Sequence, residues 1–258
     1  MFKEMSKGGN QNATTELSST VNLTAAKMKS GSKGFTLAEI LITLTVIGVV
    51  AALTIPTLLQ NTNQAELKTA LKRDFADLSQ ATLLIKNDAG GTLVNAFRNG
   101  AGDALDSENF KNAYKGKLNY IKECRGSAAN GGVTGGGATP EGCWHAANTS
   151  HFLDGSLVTD AKVEPGLILS NGTLVLFEVF KSDFSLPTGD YKRGAYIFFD
   201  VNGFKSPNVF GKDIFTVNVS DDGLIPFGAR GYTEPSDPVN GCVSGAAGYG
   251  CTAKYLYE

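Results

Sequence analysis

Charged side chains are scarce in this chain: Asp, Glu, Lys and Arg make up 19% of its residues and leave a formal net charge of −2. No basic stripe exists that could neutralise phosphates, which argues against a nucleic-acid partner. Histidine is scarcer still, with only His145 and His151. With Cys124 and Cys143 these two would make a zinc donor set. Neither a paired CxxC nor an HxxxH spacing occurs, however, and disulfides plus surface histidines account for the same residues more simply. No Ser-His-Asp set and no pair of catalytic carboxylates can be assembled. The glycines of 131–137 do not sit between a strand and a helix, so they form no phosphate-binding loop. These absences point away from an enzyme and away from a bound cofactor. What the chain does hold in quantity is glycine, 31 residues, and phenylalanine, 15. Low charge with abundant glycine implies a β-rich, loop-rich body in place of a helical bundle.

One long apolar run stands out. Ile40 to Leu59 is 20 residues without a formal charge. At about 1.5 Å per residue it makes a helix of roughly 30 Å, the thickness of the bilayer hydrocarbon. Residues 1–33 are polar, without apolar periodicity, and read as a disordered leader. Residues 1–34 hold five lysines against two glutamates, a balance of +3, and the remainder carries 18 basic against 23 acidic residues, or −5. Positive charge ahead of the run keeps the leader cytoplasmic and sends everything after Leu59 outward. Beyond the run, Leu67, Leu71, Phe75, Leu78 and Ile85 recur on one helical face, while Glu66, Lys68, Lys72, Arg73, Asp74 and Asp77 are assigned to the solvated side. One helix is therefore expected from about Phe35 to Lys86, with a kink at Pro56 and a stop at Asn87-Asp88-Ala89-Gly90-Gly91.

The remaining 91–258 reads as a globular body with an antiparallel sheet. A helix is expected around 106–121, and 126–142, with seven glycines, as a loop. GLILS and TLVLFEVF flank Asn171-Gly172, a strong hairpin signal. The strand GAYIFFDV leads to a turn at Asn202-Gly203, DIFTVNVS follows, Asp221-Asp222-Gly223 makes a third turn, and AKYLY is a candidate last strand. Four cysteines beyond the apolar run fit disulfides in an oxidising compartment. Sequence alone permits three pairings; Cys124–Cys143 and Cys242–Cys251 are preferred because each brackets a glycine-rich loop.

Lys33-Gly34-Phe35-Thr36-Leu37-Ala38-Glu39, directly ahead of the apolar run, resembles the cleavage and methylation site of type IV prepilins and type II secretion pseudoprepilins. The resemblance spans roughly residues 29–60. It implies a prepilin peptidase that cuts after Gly34 and methylates the new terminus at Phe35. Pro56 falls where these proteins commonly carry a helix-loosening proline. Glu39 is the carboxylate held to neutralise a neighbouring subunit's terminal amine and set the stagger between helices. Physics agrees that it needs a partner, because a carboxylate at the centre of a membrane helix costs about 2.5–3.5 kcal/mol to insert, less near its end. The alternative is that Glu39 snorkels to the headgroups. Gly48, Ala51 and Ala52 permit close helix approach, or are ordinary small residues of a span.

A second stretch, from Asp200-Val201-Asn202-Gly203 through Gly211-Lys212-Asp213, resembles one found in many pseudopilin-like proteins. Asp200, Asn202 and Asp213 carry oxygen donors of the kind Ca²⁺ takes, but their spacing departs from an EF-hand loop. Asx-turn hydrogen bonding is the preferred reading. The resemblance implies an α+β, pilin-like fold: 1–34 a cytoplasmic leader, 35–59 the transmembrane half of the helix, 60–90 its amphipathic continuation, and 91–258 a periplasmic or extracellular domain. It implies a single-pass protein of the bacterial inner membrane. Its partners would be prepilin peptidase, copies of itself, other pilins and an inner-membrane assembly platform. Two further readings stand beside it, a minor or adhesive tip pilin, and a signal-anchored periplasmic binding domain with no assembly role.

Overall fold

The structure, a computed structural model, describes residues 34–97, 103–126, 142–146, 148–159, 164–179, 195–221, 223–229, 237 and 239–258. The expected leader, residues 1–33, lies outside the described residues, as does most of the expected glycine-rich loop of 126–142. The chain divides into two units, one ending at Ala52 and one running from Leu53 to Glu258.

Helix α1 spans Leu37–Asp88 and continues through Pro56. It starts one residue after Thr36 and stops at two glycines with positive φ, Gly90 (+81°) and Gly91 (+96°), a conformation that favours glycine. In the first unit its large apolar residues are exposed. In the second unit its stripe turns inward: Leu71, Leu78 and Ile85 are buried, with Leu67 and Phe75 half-buried beside them. Asp74, expected on the solvated side, is fully buried. It lies three residues from Leu71 and four from Leu78, so it belongs to the inward stripe by helical geometry. Only its hydrogen-bond partners on the sheet make that position tolerable for a carboxylate.

Two short helices follow, α2 (Val94–Phe97) and α3 (Asp103–Lys115). Six strands then form one antiparallel sheet in sequential order: β1 (Tyr120–Cys124), β2 (Gly166–Leu169), β3 (Leu174–Val179), β4 (Ala195–Asp200), β5 (Ile214–Ser220) and β6 (Gly223–Pro226). The helix expected over 106–121 ends earlier, because Tyr120 pairs with Leu169 and begins β1. The last element, α4 (Cys251–Tyr257), corrects the strand expected at AKYLY. Five apolar-leaning residues are too few for periodicity to separate helix from strand. Here Tyr255 and Leu256 pack on the core as a helix, and Cys251 is pinned by its disulfide.

Both faces of the sheet are covered, so β4 and β5 are buried along their whole length. On one face Val175, Phe177, Ile197, Phe199 and Val217 meet α1 and the α3 residues Phe110 and Tyr114. On the other, Leu174, Leu176, Phe198 and Ile214 lie beneath Trp144, Val158, Phe210 and Phe227. This second cover comes from segments without long helices or strands, and the two disulfides are placed in it. Cys124–Cys143 ties the end of β1 to the segment carrying Trp144, and Cys242–Cys251 closes the loop into α4, with Cα separations of 6.0 and 4.6 Å.

Candidate functional site: the N-terminal helix

The start of α1 is a capping box. Thr36 Oγ1 accepts the Glu39 N–H at 3.2 Å, and Glu39 Oε2 accepts the Thr36 N–H at 2.8 Å and its hydroxyl at 2.9 Å. Two backbone donors that the first helical turn cannot satisfy internally are thereby paired. Thr36 was not singled out from the sequence, although a Thr with Glu three residues on, ahead of an apolar run, is the signature of this device. Gly34 precedes the helix, and a Cβ there would meet nothing within 4 Å. Phe35 is 81% exposed.

From Ile40 to Leu59 the large apolar side chains stay on the surface, among them Ile47, Leu53 and Leu58 at 64, 72 and 68% exposure. The helix is long and apolar enough to cross a membrane, by length and composition. Contiguous apolar surface of this size requires an apolar partner, protein or lipid.

Further along, α1 is locked to the sheet. Asp74 accepts from Thr173 Oγ1 at 2.7 Å and Asn171 Nδ2 at 2.9 Å, both at the β2–β3 turn, and from Arg73 Nε, beside it on α1, at 2.9 Å. Burial raises its pKa, and those donors oppose the rise. At the other end of the sheet Lys86 Nζ donates to the Asp221 carbonyl, and the Asp221 carboxylate accepts from Thr92 and the Leu93 N–H.

The residues weighed for Ca²⁺ sit at the end of β4 and in the β4–β5 turn, and their carboxylates have partners within the fold. Asp213 accepts the Asn208 and Val209 N–H groups at 2.8 and 2.6 Å. Asp200 accepts the Asn202 N–H at 3.1 Å and meets His145 Nε2 at 2.8 Å. Asn202 Nδ2 donates to the Ser206 carbonyl. Burial pushes Asp200 up to about 6; His145 pulls it down and Asp213 pushes it further up. The zinc donors do not converge: Cys124 and Cys143 are joined to each other, His145 meets Asp200, and His151 bridges to Leu157 and Val209. Among the described residues no group of three or more His, Cys, Asp or Glu side chains is placed to hold a metal ion.

A long N-terminal apolar helix joined to an antiparallel sheet makes this an α+β protein of pilin-like layout. Residues 29–55 match the family model described as the prokaryotic N-terminal methylation motif, and the chain thus carries the signature of the type IV prepilin and pseudopilin family. No curated protein and no solved structure matches the chain.

Proposed function

We propose that the chain is a filament subunit, a pilin or pseudopilin of a type IV pilus or a type II secretion pseudopilus. In this reading residues 1–34 are a cytoplasmic leader removed by prepilin peptidase, and Phe35 becomes the methylated terminus. Residues 35–59 cross the inner membrane, 60–90 continue the helix, and 91–258 form the body outside. The observation that carries it is the methylation motif running directly into an apolar helix whose side chains are exposed. Lipid satisfies that surface before assembly, and neighbouring helices satisfy it afterwards. Glu39 supplies a charge inside an otherwise apolar contact, where a neighbour's terminal amine is the natural counterpart. The subunit has a structural role and no catalytic one.

Processing tests the reading. Mass spectrometry of the mature protein should find an N-methylated terminus at Phe35, and Gly34→Val should leave the precursor uncut. Because a side chain at Gly34 meets nothing in the fold, loss of cleavage there reports on the peptidase and not on misfolding. Normal processing of the variant would reject the assignment.

A further inference from the structure

Within the unit that starts at Leu53, α1 fixes which end of the sheet lies toward the apolar run. Asp74 bonds to the β2–β3 turn and Lys86, twelve residues later, to the β5–β6 turn. The β4–β5 turn lies beside the β2–β3 turn, so close that a Cβ on Gly203 would come within 2.7 Å of the Gly172 carbonyl. Both turns therefore sit at the end of the sheet that faces Leu59. Between them and α1 runs a groove of about 900 Å³, lined on the helix by residues from Thr62 to Arg73 and opposite by Val201, Phe204 and Lys205.

The helical wall of the groove begins at Thr62, close to the end of the exposed apolar surface, where Leu58 and Leu59 are 68 and 57% exposed. Thr62 is three residues past Leu59, about 4.5 Å along a helix, and each headgroup layer is about 5–8 Å thick. Thr62, the first lining residue on the helical wall, thus lies at headgroup depth when Leu59 ends the membrane-spanning run. Phe204 is 54% exposed on its wall and Lys205, which follows it, is exposed too. The same end carries Lys68, Lys72 and Lys254 against Glu66 and Glu258, while Arg73 is paired with Asp74. Tyr257, 74% exposed, sits on the helix that the Lys68–Glu258 pair holds to α1. Aromatic rings with lysines beside them suit the interface of a membrane carrying anionic lipid.

We propose that the β4–β5 turn, through Phe204 and Lys205, docks on the anionic phospholipid headgroups of the bilayer that α1 spans. The contact steadies the body against the membrane before the subunit enters a filament. This rests on the anchoring reading above, and the experiment separates the two.

The full-length chain would be reconstituted in phosphatidylcholine vesicles with and without phosphatidylglycerol. Trp144 is the sole tryptophan, so Trp144→Phe with Phe204→Trp places one reporter on the turn. Trp144→Phe with Leu83→Trp places it 24 residues past Leu59, about 36 Å along the helix. A headgroup nitroxide lipid should quench the reporter at 204 severalfold more than the one at 83, and more strongly with phosphatidylglycerol. Lys205→Ala should weaken docking roughly fivefold, the usual effect of one basic residue at an anionic surface. In the unsubstituted chain, acylation of Lys205 should slow on phosphatidylglycerol vesicles while that of Lys117, which is paired with Asp88, does not. Equal quenching at 204 and 83 in a chain that resists carbonate extraction overturns the docking and leaves the anchor standing. Release by carbonate overturns the anchor itself. Quenching and acylation that ignore both phosphatidylglycerol and Lys205→Ala overturn recognition by charge.

Discussion

Asp74→Ala is the most direct test of how the helix is held to the sheet. The carboxylate is fully buried and accepts three hydrogen bonds, but the three donors differ in what they lose. Thr173 is itself fully buried, so its hydroxyl is left without a partner, which costs about 1–3 kcal/mol. Asn171 and the half-exposed Arg73 can return to water, and their ordinary net contribution is about 0–1 kcal/mol each. Burial raises the Asp74 pKa, so removing the charge also relieves a desolvation penalty and offsets part of the loss. The sum for Asp74→Ala is about 2–3 kcal/mol. Asp74→Asn keeps an acceptor for Thr173 and should cost roughly 1 kcal/mol, and Arg73→Ala less still. Denaturant unfolding of the detergent-solubilised protein, followed by Trp144 on the opposite face of the sheet, reads all three variants. At roughly 2–4 °C per kcal/mol for a body of this size, Asp74→Ala should lower Tm by about 5–10 °C. A larger loss from Arg73→Ala than from Asp74→Ala, or a loss below about 0.5 kcal/mol for Asp74→Ala, would refute the argument.

Glu39→Gln preserves the capping box, because glutamine serves at that position as glutamate does, and removes only the charge. Filament yield in shear fractions should fall while membrane insertion and cleavage persist; wild-type yield would remove Glu39 from assembly. Replacing Cys124 and Cys143 together with serine should lower stability by about 3 kcal/mol, and Cys242 with Cys251 by about 2.5, from sequence separations of 19 and 9. Unfolding under non-reducing conditions measures both, and an unchanged midpoint in either pair would be contrary. Asp200 holds its proton more tightly folded, to about pH 6, than unfolded at 3.8. Its contribution to stability is therefore full below about pH 4 and is lost as pH rises to about 6. The change in Tm between pH 4 and 6.5 should shift in Asp200→Asn in the sense of losing that decline, and an identical profile would exclude Asp200 as its source.

Much of the N-terminal part was legible because its signals are local. The apolar run and the residues around Gly34 need only their neighbours to have meaning; the Thr36–Glu39 capping box is as local and was missed all the same. The Asn171-Gly172 hairpin was readable because its signal too is local, and its loop holds three residues, Ser170 to Gly172, with Gly172 at the positive φ (+92°) that such a loop requires. The element types failed where the deciding partner was distant. Tyr120–Cys124 is a strand because β2 lies beside it, and Cys251–Tyr257 is a helix because the core and a disulfide hold it.

By itself the sequence determined that this chain has a membrane-length apolar helix with a methylation motif at its start, because helical period, charge and spacing act over a few residues. Only the tertiary structure decided that Asp74 is buried, that His145 meets Asp200, and that Phe204 and Lys205 lie at the end of the sheet nearest Leu59. Burial and electrostatic pairing depend on groups dozens of residues away, and folding alone brings those groups together.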